Sequence, residues 1–182
     1  AVGQRRVERA KRVDLLLGHA HLREQRLARH SLVRIGMVGR HLPLVAPAKY
    51  FDLYPLESIT LPDEPANDEA DIPLPARNGS VPGYALTATP EQRRAAIRAY
   101  LACVSYVDEQ AGRVLTALKS QGLEDNTIVV FMSDHGWHLG EHGLWHKRSL
   151  FEESARVPFI VRAPGAKGNG KRCDSLIESL DL

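Results

Sequence analysis

The densest chemistry in this 182-residue chain lies between positions 133 and 147. Ser133-Asp134-His135-Gly136-Trp137-His138-Leu139-Gly140-Glu141-His142-Gly143-Leu144-Trp145-His146-Lys147 holds four histidines, three glycines and a lysine. Asp134 and His135 are adjacent, so on a regular strand they would point to opposite faces. They converge on one ion only if the backbone turns, and Gly136 permits such a turn. An anionic oxygen beside an imidazole nitrogen suits a divalent cation. By ligand preference alone the pair leans toward zinc or manganese, because calcium takes mainly oxygen. Two ligands do not complete a shell, so others must come from elsewhere. Lys147 can hold phosphate or sulfate as a point charge. Gly140 and Gly143 would let the backbone pass close to a ligand. The competing reading is a glycine-rich surface loop with scattered polar residues.

The other histidines carry less. His138, His142 and His146 are spaced by four, which on a helix would align them. Gly140 and Gly143 argue against a continuous helix, so packing or hydrogen bonding is expected of these rings rather than a second metal cluster. Trp137 and Trp145 read as packing residues.

Several elements must position this window. Thr127-Ile128-Val129-Val130-Phe131-Met132 is apolar, β-branched and uncharged, and predicts a buried strand. The Asp-His pair then stands at the strand's carboxyl end, where open α/β sheets collect their ligand sites. Val157 to Val161 predicts a second strand, with Pro158 near its start. Ser149 to Glu152 has the capping-box pattern and predicts a short helix between them. Upstream, Thr89-Pro90-Glu91-Gln92 is another capping box, with proline at the first helical position. Apolar residues follow at Ile97, Leu101, Val104, Val107, Val114, Leu115 and Leu118, and Gly122 fits a C-cap. Tyr100, Cys103 and Tyr106 fall in this pattern as packing residues. Asp108 and Glu109 read as a solvated or structurally bonded face.

The remainder is less regular. Residues 55–90 hold seven of the eleven prolines with many acids between them, and predict a long surface excursion. Such a segment is either a plain linker or a wall of a substrate pocket. Leu32 to Val38 predicts a strand ending just before His41. Tyr50 to Tyr54 predicts a helical turn, Ala10 to Leu27 has weak helical spacing, and Ser175 to Leu182 reads as the opening of a helix. Alternating strands and helices indicate α/β.

Composition sets the outer bounds. The chain is 43% hydrophobic and 25% charged, as expected of a globular protein. No apolar run approaches the roughly 20 residues that span a membrane. Cys103 and Cys173 stand in different contexts and suggest no disulfide framework. The net charge of +2 hides an asymmetry, because residues 1–40 carry +7 and the remainder −5. A basic arm can bind nucleic acid through phosphates, but no nucleic-acid motif accompanies this one, so no such partner is expected.

The window at 133–147 resembles the sulfatase family of the alkaline-phosphatase-like superfamily, in the pattern Ser-Asp-His-Gly-x-x-Leu-Gly-Glu-His-Gly-x-Trp-x-Lys. The likeness runs on through Ser149-Leu150-Phe151-Glu152-Glu153-Ser154-Ala155-Arg156-Val157-Pro158-Phe159-Ile160-Val161. It is closest to the iduronate-2-sulfatase and choline-sulfatase branches. Upstream, Arg40-His41-Leu42-Pro43, followed by Pro47-Ala48-Lys49-Tyr50, is similar to the family's Lys/Arg-Pro-His-x-Pro and Pro-x-x-Tyr/Phe. Arg40 stands where the family has proline.

The resemblance implies a partial alkaline-phosphatase-like sandwich, with helices packed on a mixed, mostly parallel sheet. Residues 35–182 would form the C-terminal portion of a sulfatase catalytic domain. Residues 1–34 show none of this pattern: the basic segment is a solvated helix, a disordered tail or, as the favoured reading, the product of a shifted frame or gene boundary. Asp134 and His135 would be ligands of Ca2+. Lys147 and His41 would be catalytic and substrate-binding, holding the sulfate group, with His41 also near the leaving oxygen. Glu141 and His142 would support the loop. The implied reaction is hydrolysis of a sulfate ester by a formylglycine made in a Cys/Ser-x-Pro-x-Arg motif. Neither cysteine nor any serine here stands in that motif, and the family's Asp-Asp metal pair is also absent from the sequence. The expectation is therefore an inactive fragment that folds poorly on its own. The implied substrate is a sulfated small molecule or sugar, in a periplasmic, secreted or lysosomal setting. The alternative within the superfamily is a phosphatase or phosphonate-ester hydrolase.

Overall fold

The structure is a computed structural model. It describes the backbone of residues 22–27 and 30–35, and residues 43–74 and 87–178, with only the backbone of Glu69. His41 lies outside the described residues, as do 75–86, most of the basic segment and residues 179–182. In chain order the elements are β1 (Leu22–Leu27), β2 (His30–Ile35), α1 (Ala48–Phe51), α2 (Pro90–Ser120), β3 (Val129–Met132), β4 (His138–Leu139), β5 (Trp145–His146), α3 (Glu152–Ala155) and β6 (Phe159–Arg162). Short 3-10 turns occupy Leu56–Ser58, Asp68–Asp71, Glu124–Asn126 and Glu141–Gly143. The mixture is α/β.

The described strands form three two-stranded pairs, all antiparallel: β1 with β2, β3 with β6, and β4 with β5. A mostly parallel sheet was expected, and the described pairs differ from it. A parallel pair needs a crossover of a dozen or more residues, usually helical. The only α-helix between β3 and β6 is the four-residue α3, the rest of that connection being the β4–β5 pair and turns, and the two strands pair antiparallel. The weak helical spacing expected up to Leu27 gives way to strand over Leu22–Leu27, paired from Leu22↔Ile35 to Leu27↔His30. Residues 175–178 are irregular where a helix was expected.

The molecule divides into two compact units, 1–55 with 98–124, and 56–97 with 125–182. Helix α2 begins as its sequence predicts. Thr89 N–H donates to Gln92 Oε1 at 2.8 Å, and Gln92 N–H donates back to Thr89 Oγ1 at 3.3 Å. These bonds satisfy two of the N–H groups a helix start leaves open. It ends with Gly122 at φ +63, whose N–H reaches Lys119 O at 2.9 Å, while Leu123 N–H reaches Leu118 O at 3.1 Å. That is a left-handed glycine cap.

In the first unit, α1 is fastened to the later turns of α2. Arg98 donates to Phe51 O from Nε and Nη2 at 3.2 and 2.9 Å. The Tyr54 hydroxyl meets Ser105 Oγ at 2.6 Å, Lys49 pairs with Glu109 at 2.8 Å, and Tyr50 packs on Tyr106. Glu109 is thus structurally bonded, and Tyr106 packs as expected. Ala102 and Cys103 are fully buried, and burial pushes the Cys103 thiol up. Val104 and Leu115, expected on the buried stripe, are 38% and 48% exposed. Four residues of α1 cover only part of a helix face this long.

In the second unit, the first turns of α2 hold the proline-rich segment. Arg93 pairs with Glu64 at 2.7 Å, and Arg94 Nε donates to Ile59 O at 3.2 Å. Ile59 and Ile97 are buried there.

Candidate active site

Strand β3 ends at Met132, and the window of interest begins one residue later. Its loop is closed from below by the β3–β6 ladder, which runs from Val129↔Arg162 to Met132↔Phe159. Ser133 Oγ donates to His135 O at 2.8 Å and turns the chain sharply out of the strand.

This turn brings the Asp-His pair together. Asp134 Oδ1 lies 3.7 Å from His135 Nε2. His135 Nδ1 lies 2.7 Å from Gly136 O. A carbonyl only accepts, so Nδ1 carries a proton and Nε2 is the ring nitrogen left facing the carboxylate. Metal-binding imidazoles are commonly oriented in this way by a second hydrogen bond. The Asp134 side chain is 88% exposed, and that of His135 is 31% exposed. Two donors 3.7 Å apart can both reach one ion at bond lengths of about 2.0–2.6 Å. The pair fits a divalent cation as part of a shell, while no group of three or more metal-binding side chains exists among the described residues.

Gly136 was expected to permit the turn that brings the pair together. Its φ is not positive, and its role is close approach. A Cβ at this position would stand 2.0 Å from Glu153 O. Gly136 N–H donates to Ser154 O at 2.7 Å. The Asp-His turn is thereby pressed against the backbone of α3. The Ser149 capping box does not form. Phe151 is the N-cap of α3 with no side-chain cap bond, and Ser149 Oγ instead meets His138 Nε2 at 2.6 Å. Ser149 Oγ also accepts from Phe151 N–H at 3.3 Å, so the hydroxyl ties the residue before α3 to His138 rather than capping the helix itself.

The remaining histidines are structural. His138 is 1% exposed on β4, and burial holds it below the ordinary histidine value, against the pull of Glu153 and Glu141. His146 sits on β5 with φ +84, its ring 5.3 Å from Trp137. His142 has φ +57, its Nδ1 lies 2.8 Å from Asp68 Oδ2, and its ring stacks on Phe151 at 4.2 Å. Glu141 Oε2 accepts from Leu139 N–H at 2.6 Å and braces the β4–β5 turn. Gly140 makes room for protein rather than for a ligand, because a Cβ there would meet Pro62 at 2.8 Å. Trp145 is buried against this turn.

Lys147 follows β5 and is half-buried, and no carboxylate among the described residues pairs with it. Asp68 was not singled out from the sequence. It lies 74 residues from His142 in an acid-rich stretch, and nothing local distinguishes it from its neighbours.

The sulfatase family profile matches residues 17–182, and the chain belongs to the sulfatase family. A sulfatase of Formosa agariphila is 40% identical over 156 residues, covering 81% of this chain and 30% of the relative. Human iduronate 2-sulfatase is 41% identical over 145 residues, covering 72% and 26%. Among solved structures, a phosphonate monoester hydrolase from Silicibacter pomeroyi superposes with a TM-score of 0.60 at 35% identity, covering 70% of this chain and 27% of that one. The fold is therefore alkaline-phosphatase-like, and the chain spans about a quarter to a third of the length of the curated relatives it matches. No described helix is long and apolar enough to cross a membrane.

Proposed function

We propose that this chain is the C-terminal portion of a sulfatase catalytic domain of the iduronate-2-sulfatase-like kind, acting on a sulfated sugar or small molecule. One observation supports this most: Asp134 Oδ1 and His135 Nε2 stand 3.7 Å apart at the end of β3, with Nδ1 turned away onto Gly136 O. In this reading the pair holds one Ca2+, and the remaining ligands are not encoded in this chain. The ion, when bound, polarises sulfate oxygens. Lys147 neutralises charge on the sulfate group, and His41 hydrogen-bonds that group or protonates the leaving oxygen. The nucleophile is a formylglycine, and neither Cys103 nor Cys173 lies in the motif that forms one. The isolated chain accordingly binds the ion but does not turn over. The family resemblance supports a periplasmic, secreted or lysosomal setting.

Calcium titration of the purified chain by calorimetry tests the metal assignment. Binding is expected in the wild type and lost in Asp134→Ala. Equal heats from both would sink it. Lys147→Ala, placed at the matching position of a complete relative, is expected to lower kcat/KM on a sulfate ester by about a hundredfold or more, by analogy with removing one charge-stabilising donor. Unchanged kcat/KM would remove Lys147 from the site.

A second reading is hydrolysis of a phosphonate or phosphate ester, supported by the likeness to the Silicibacter pomeroyi hydrolase. Preference for zinc or manganese over calcium at Asp134 and His135 would favour it.

A further inference from the structure

We infer that His142 is a positioning residue, a latch that holds the Asp134–His135 turn through helix α3. This deepens the metal-site reading above and rests on it for its functional consequence, though not for its structural test.

The geometry is a chain of contacts within the second unit. His142 Nδ1 donates to Asp68 Oδ2 at 2.8 Å, with both side chains about 70% buried. Its ring lies flat on Phe151, with centroids 4.2 Å apart and planes at 16°. Phe151 is the N-cap of α3, and its carbonyl receives the N–H groups of Ser154 and Ala155 at 2.9 Å. On its far side, His142 Nε2 faces Glu153 Oε2 at 3.9 Å, beyond a direct hydrogen bond but within electrostatic reach. Glu153 O stands at the site of the missing Cβ of Gly136, and Ser154 O accepts the Gly136 N–H. Gly136 O in turn fixes the tautomer of His135. One imidazole thus joins the Asp68 turn to the helix that backs the ligand pair.

The backbone of His142 argues that this placement is specific. A φ of +57 is left-handed, which non-glycine residues seldom adopt without compensation. Gly143 next to it also has a left-handed φ, with open space around it. A residue with no task at 142 could therefore be glycine at no steric cost. The imidazole is retained in a strained conformation, and its contacts offset that strain.

Amide hydrogen exchange at Gly136 reads the latch directly, because its N–H is the bond to Ser154. The experiment compares the wild-type chain with His142→Ala, His142→Gln, His142→Asn and Asp68→Ala. Asparagine tolerates a left-handed φ and places an amide N–H near the Nδ1 position, so it should restore the bond to Asp68. Glutamine reaches past that position. Expected is at least tenfold faster exchange at Gly136 in the Ala, Gln and Asp68→Ala variants, with wild-type protection in Asn. The amides of Arg98–Ser120 in α2 should be unchanged throughout. Unchanged exchange at Gly136 in His142→Ala overturns the latch. So does equal loss in Asn, or acceleration shared by α2, since the effect would then be on folding at large. Calcium titration of the same samples separates the two readings. A latch with no wild-type calcium binding sinks the metal assignment alone. Calcium binding with no effect at Gly136 sinks the latch alone.

Discussion

A missing side chain decides much of the geometry around Asp134. Gly136 has no Cβ because the backbone of α3 occupies that space, so Gly136→Ala is expected to cost about 3 kcal/mol or more, measured by chemical denaturation. Little change in the midpoint would mean that α3 moves aside at low cost. His138 supplies a pH signature. Burial lowers its pKa from the ordinary 6.5, so the unfolded chain binds its proton first as pH falls. Stability from this group is full above about pH 6.5 and declines as pH drops from there toward the depressed native value. Carboxylates of Glu153 and Glu141 oppose the shift and limit its size. The difference in denaturation midpoint between wild type and His138→Gln should therefore change below pH 6.5 and stay flat above it. A difference that is constant across that range would show that His138 is not held neutral by burial. Residue types at 133–147 were legible because carboxylate, imidazole and lysine announce their chemistry in any order. The role of Gly136 was not legible, because what it avoids is a backbone seventeen residues away in sequence.

At the scale of elements, local chemistry carried furthest where it was self-contained. Helix α2 has its capping box, its N-terminal proline and its glycine cap in the sequence, and all three operate in the structure. Thr89→Ala should lower stability by about 1 kcal/mol, read from the thermal or denaturant midpoint, and no change would mean that the helix start is already frayed. The same motif at Ser149 did not form: its hydroxyl bonds His138 on β4 and accepts from Phe151 N–H, and Phe151 becomes the N-cap. A partner eleven residues away on another strand could not be read from the local motif. Strand β3 was legible from its β-branched run, although it starts at Val129 rather than Thr127 and is largely exposed where a buried strand was expected. Its direction of pairing was not, since periodicity gives which residues alternate and says nothing about which strand lies alongside.

For the whole molecule, the family was written mainly at 133–161 with a shorter match from Arg40 to Tyr50, and the sulfatase profile covers residues 17–182. The β3–β6 ribbon leaves much of its apolar surface uncovered, with Val130, Phe131, Met132, Ile160 and Val161 between 37% and 60% exposed. Exposed apolar area of this kind marks a contact surface or an aggregation liability. The purified chain should bind an apolar fluorescent dye under native conditions, and the double substitution Phe131→Thr with Ile160→Thr should reduce that signal at least twofold. Equal signals would place the dye elsewhere. The ribbon has another consequence, for the order of events in folding. Met132 and Phe159 sit side by side and tie residues 133–158 into a closed ring of backbone. Everything the candidate site needs from this window lies on that ring, with α3 and the β4–β5 turn inside it. When the knot at Met132 and Phe159 is undone, the carboxylate, the imidazole and the lysine are released together, and when it is tied they return as a set.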